Sequence, residues 1–92
     1  MIIRIMGEGQ YDVPDADLAA LNVLDSEVES AVLAADVSAF TACFAQLLDR
    51  VRSHGAVLPD EVLVDSDLVL PPPDSSVDEV AALLGDEGLI PG

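Results

Sequence analysis

The sequence predicts an α+β fold: an N-terminal β-hairpin with "DLVL" (67–70) as a candidate third strand, packed against an antiparallel helix pair, with a short C-terminal helix. Three observations carry this. Residues 2–6 and 10–13 place Ile3 with Ile5, and Tyr11 with Val13, on one side each, which is the period of a strand. Residues 18–51 carry two apolar stripes at steps of three and four, the period of helices. Between those stripes only Ala35 to Val37 are left for a connection, which is short enough to force the second helix back along the first.

Taken in order, the hairpin comes from "RIMGEGQYDV" (4–13). Glycine tolerates positive φ, so Gly7-Glu8-Gly9 suits a three-residue connection with a left-handed residue. A phosphate-binding loop needs a helix directly after the glycines, whereas a second strand follows here and Glu8 adds negative charge. Pro14 and Asp15 read as a helix start, with Asp15 as N-cap and Asp17 complementing the positive helix end. Leu18, Leu21, Leu24, Val28, Val32 and Ala35 then share one face, opposite Asn22, Glu29 and Asp36. Asp36 caps the next helix, whose stripe of Phe40, Cys43, Phe44, Leu47, Leu48 and Val51 is the densest in the chain. Each such side chain is worth about 1.5–3 kcal/mol when buried, so this stripe anchors the core. At its end Arg50, Arg52 and His54 suit the negative helix terminus and Gly55 is expected as a left-handed C-cap. Residues 56–66 read as irregular. "PPPD" (71–74) is a stiff spacer, Ser76 and Glu79 spell a capping box, and Gly85 ends the last helix. With 92 residues, no internal repeat and no linker, the chain reads as a single domain over 1–92.

Eighteen acids oppose three bases, Arg4, Arg50 and Arg52, for a net charge of -15. Such a charge repels nucleic-acid backbones and anionic lipid, so direct binding to either is disfavoured and a basic protein partner is favoured. A high-GC genome or a salt-rich cytoplasm produces the same acidity, and composition does not separate these causes. No apolar run reaches the roughly 18–20 residues of a membrane span, and "MIIRIM" is too short for a signal sequence, so a cytoplasmic location is expected.

The chemistry-bearing residues do not assemble into a catalytic pattern. His54 is the only histidine and Cys43 the only cysteine. On one helix they stand about three turns apart, roughly 16 Å, which is too far for a hydrogen bond. Cys43 reads as a small core residue, and the protein as a non-enzyme without cofactor or metal. Asp12, Asp15, Asp17 and Glu8 are the alternative: a cation- or small-ligand-sensing cluster, although capping explains the aspartates more simply. Strand 2–6 is apolar on both faces, Ile2 and Met6 against Ile3 and Ile5, and a two-stranded ribbon needs cover. An interface is expected there or on a residual apolar helix face, with Ile2, Arg4, Met6, Glu8 and Tyr11 as candidate partner-binding residues and a homo-oligomer as a further outcome.

"IIRIMGEGQYDV" (2–13), "ALNVLD" (20–25), "SHG" (53–55), "SDLVLPP" (66–72) and the closing "LLGDEGLIPG" (83–92) together resemble the PspA-associated protein family, PspAA, across essentially the whole chain. That family comprises small domains of actinobacteria and archaea encoded beside a homologue of phage-shock protein A. The resemblance implies a role in the envelope-stress response with a PspA-like protein, a helical coiled-coil membrane-remodelling factor, and it supplies no catalytic residues. The expected function is therefore that of an adaptor or regulator, with the cation-sensing module as the alternative.

Overall fold

The computed structural model describes residues 1–59 and 64–83. Strand β1 (Ile2–Ile5) pairs antiparallel with β2 (Gly9–Asp12), Ile3 opposite Tyr11 and Ile5 opposite Gly9. The connection is Met6-Gly7-Glu8, one residue earlier than the sequence suggests. Gly7 at φ 85° and Gly9 at φ 137° take the backbone through conformations that other residues rarely adopt, and the Glu8 N–H closes the turn on the Ile5 carbonyl at 3.0 Å. Beyond β2 the ladder continues, since Val13 and Met1 exchange backbone hydrogen bonds of 2.8 and 3.0 Å.

"DLVL" does form a strand, β4 (Leu68–Leu70), running parallel to β1 on its free side. A short strand that the sequence reading missed, β3 (Ala56–Val57), pairs antiparallel with β2, so the start of the segment taken as irregular is part of the sheet. The order is β3-β2-β1-β4, which makes β1 a central strand. Alternation then sorts its side chains: Ile3 and Ile5, with Val13 and Leu70, are fully buried on the inner face, while Arg4 and Met6 are exposed on the outer one.

Chain entry into the first helix differs from the expectation. Residues Asp15–Asp17 form a 3-10 turn, helix α1 spans Leu18–Leu33, and neither flanking residue supplies a side-chain cap. Asp15 is not the N-cap: it is the first residue of the 3-10 turn, and its carboxylate lies 3.3 Å from the Met1 amine. Along α1, Leu21, Val28 and Ala31 are buried, and Leu18, Leu24 and Val32 pack at the core margin. Asp25 shares that buried face and has a polar partner there.

The end of α1 is a Schellman motif with the wrong residue for it. Ala35, assigned above to the apolar stripe, sits at φ 54° and is exposed, while Asp36 N–H bonds the Ala31 carbonyl (3.0 Å) and Ala35 N–H bonds that of Val32 (3.1 Å). Asp36 then does cap α2 (Val37–His54), accepting from Ala39 N–H at 3.0 Å. Phe40, Phe44, Leu47, Leu48 and Val51 are buried as predicted, with the two phenylalanine rings stacked 5.4 Å apart, and Cys43 is half-buried beside them. Asp17 at the start of α1 meets Arg50 and His54 at the end of α2, so the helices run antiparallel.

Gly55 is not a left-handed cap: its φ and ψ are −95° and 152°, an extended conformation open to any residue. Glycine is needed there for space. A Cβ would stand 2.6 Å from the Val51 carbonyl oxygen, 2.9 Å from Tyr11 Cβ and 3.0 Å from Val13 Cγ2, where the end of α2 crosses β2. Helix α3 (Val77–Leu83) starts with the expected capping box, Glu79 N–H to Ser76 Oγ and Ser76 N–H to Glu79 Oε1, both 3.2 Å. Val80 buries the helix against the core. Its expected stop at Gly85 lies outside the described residues.

Candidate partner-binding surface

The five residues expected to bind a partner do not share one face. Ile2, Arg4 and Met6 lie together on the outer side of the sheet, with Met6 46% exposed. Tyr11, opposite Ile3, belongs to the inner side, and Glu8 sits at the hairpin tip. Part of the outer face is already covered. Gln10, opposite Arg4, is only 8% exposed because its Nε2 donates to the Val64 carbonyl (2.9 Å) and to Ser66 Oγ (2.8 Å). What remains open there is a small patch of Arg4, Met6 and Val69.

The acids of the proposed sensing cluster are dispersed among different cations. Asp12 and Asp15 lie 3.6 and 3.3 Å from the Met1 amine. Asp17 accepts from Arg50 Nη2 at 2.9 Å and stands 3.4 Å from His54 Nδ1. Glu8 takes two N–H groups of Arg52, Nε at 3.0 Å and also Nη2, while Arg52 Nη1 reaches Asp49 at 2.9 Å. Hydrogen bonding from Arg52 outweighs partial burial and holds the Glu8 carboxyl below its usual range; the same contact raises the guanidinium. Among the described residues no three His, Cys, Asp or Glu side chains come together in a way that could hold a metal ion. His54 faces Asp17, and Cys43 lies elsewhere on α2, in contact with a groove.

That groove is an open concave feature of the helical layer. It runs between α1 and α2, is about 590 Å³ in volume, and is lined by Val23, Glu27 and Ser30 from one helix and Asp36, Ala39 and Cys43 from the other. Apart from Glu27 and Asp36 its floor and walls are small or apolar, and Val23 is 60% exposed. At the same end of the helix pair Leu33 and Val37 are also exposed, at 79% and 59%. The sequence reading allowed for a residual apolar helix face without locating it. The available signal was the run Ser26, Ser30, Ala34 at steps of four, beside a valine that the core stripe does not use.

With Arg50 and Arg52 engaged by carboxylates, the acid surplus dominates the outward field. No helix among the described residues is long and apolar enough to cross a membrane. Searches of curated proteins and of solved structures each gave no significant match. A family model described as PspA-Associated protein, PspAA, matches residues 1–92. Its match runs from the hairpin through both helices to the last residue, as the resemblance of the chain's two ends led one to expect, and the chain belongs to the PspA-associated protein family.

Proposed function

We propose that this chain is a non-enzymatic adaptor or regulator of the envelope-stress response, which acts at the cytoplasmic side of the membrane by binding a PspA-like protein. Family membership across the whole chain is the observation that carries this reading. The surface chemistry agrees with it. A body with a net charge of -15 is repelled by anionic lipid, yet is drawn to a protein whose basic surface faces that lipid. Exposed Val23, Leu33 and Val37 supply apolar contact within the acidic field. Among the described residues Cys43 and His54 are not paired as nucleophile and base: the thiol lines the groove between α1 and α2, and the imidazole faces Asp17, which Arg50 also contacts.

Co-purification with the PspA-like protein of the same source tests the reading. A complex at low ionic strength that weakens steeply towards about 1 M salt, where the screening length falls to about 3 Å, is the expected result. Absence of a complex at every ionic strength refutes it.

A further inference from the structure

We propose that the groove between α1 and α2 is the docking site for an amphipathic helix of another polypeptide, one that brings lysine or arginine to the groove's rim. The inference rests on the partner-binding reading and assigns its site. Three features of the groove select this occupant.

The first is shape. Val23, Glu27, Ser30 and Ala34 follow steps of four, three and four along α1, and Asp36, Ala39 and Cys43 follow steps of three and four along α2. They form two facing ridges of an open trough, the arrangement that takes a third helix. From Val23 to Ala34 the trough is roughly 16 Å long, enough for about three turns.

The second is the size of the side chains. Ser30, Ala31, Ala34, Ala39 and Cys43 leave room for a guest backbone to approach at the usual interhelical distance of about 8–10 Å. Exposed Val23 offers an apolar anchor on one wall.

The third is charge. The ionisable groups that line the groove are Glu27 and Asp36, together with the Cys43 thiol, and no base is among them. Arg50 and Arg52 lie near the far end of α2, tied to Asp17, Glu8 and Asp49. A second copy of this chain would bring another net charge of -15 to the contact, so self-association through the groove is opposed and a cationic guest is favoured.

The test uses the full chain and the full-length PspA-like protein of the same source. Ser30→Arg puts bulk and positive charge at an exposed groove position, and Val69→Arg makes the same change on the outer face of the sheet. Ser30→Arg is expected to weaken the complex by about tenfold or more, and Val69→Arg by less than about twofold. Cys43 gives a reading without substitution: as the chain's only thiol it lies in the groove, so its alkylation is expected to slow about tenfold in the complex. A complex that forms with unchanged Cys43 alkylation, or one that Val69→Arg abolishes and Ser30→Arg leaves intact, overturns the groove assignment while partner binding stands. Protection of Cys43 by dimerisation of the chain alone also overturns it. A wild-type chain that forms no complex removes both proposals.

Discussion

Replacing Gly55 with alanine is expected to destabilise the fold by about 1–2 kcal/mol. The backbone at this position is extended, so no torsional penalty applies, and contacts alone decide the outcome. The added methyl would sit 2.6 Å from the Val51 carbonyl oxygen and 2.9 Å from Tyr11 Cβ, neither of which is the far end of a flexible side chain. Over-packing of this kind costs about 1–3 kcal/mol, and loss of glycine's freedom in the unfolded chain returns about 0.4–1 kcal/mol. For a domain of this size each kcal/mol moves the melting temperature by about 4–8 °C, so a fall of roughly 5–15 °C is expected. Urea unfolding followed by far-ultraviolet circular dichroism measures the free energy directly. Gly55→Asn sharpens the test. At a left-handed cap asparagine is the next best residue after glycine, whereas in a close approach its larger side chain is worse than alanine. A stabilised Gly55→Ala, or an asparagine variant more stable than the alanine one, refutes the close-approach reasoning.

Ala35 is the converse case: at φ 54° in an exposed Schellman turn, Ala35→Gly removes left-handed strain of about 1–2 kcal/mol against an entropic cost of about 0.4–1 kcal/mol, so thermal unfolding is expected to show a small stabilisation. Gln10→Ala strips two hydrogen bonds that hold residues 64–66 over the outer face, and should cost about 1–2 kcal/mol and speed amide exchange of the cross-strand bond from Leu58 N–H to the Gln10 carbonyl. The Glu8–Arg52 contact gives a pH signature. Because the folded carboxyl titrates below its ordinary value of 4.5, its contribution is complete above that value and is lost as pH falls through the lower folded one. Glu8→Gln should therefore cost about 0.2–1 kcal/mol at neutral pH in urea titrations, and the difference from wild type should shrink below pH about 4.

Much of the fold is local and was legible for that reason. The hairpin, both long helices, the Asp36 cap and the Ser76–Glu79 box each announce themselves within a few residues. What the sequence did not reveal depends on partners distant in the chain. Strand β3 is two residues long and exists because β2 offers an edge; "AV" has no periodicity of its own. Gly55 follows a helix and so imitates a cap, but two of its three close contacts come from Tyr11 and Val13, more than forty positions earlier. Asp15 lies inside a 3-10 turn with its carboxylate beside the Met1 amine, and Ala35 takes the left-handed turn because the two helices must reverse within three residues. Asp25 stands on the buried face between Leu21 and Val28, a position readable from spacing, although its residue type conceals it.

The candidate site divides along the same line. The hairpin residues Ile2, Arg4 and Met6 do share a face, as alternation requires, but β4 and residues 64–66 crowd it and Tyr11 points the other way. The groove takes its walls from two helices, and the spacing within either one alone does not reveal it. Its small residues at steps of four become meaningful once α1 and α2 are set side by side.

The most direct measurement is an amide NMR titration of the labelled chain with the full-length PspA-like protein at low salt. Binding to so large a partner should broaden signals selectively, and the account predicts the strongest losses at Ser26, Ser30, Ala34, Ala39 and Cys43, reversed on adding salt. Losses centred instead on Arg4, Met6 and Val69, or a spectrum unchanged by the partner, would contradict it.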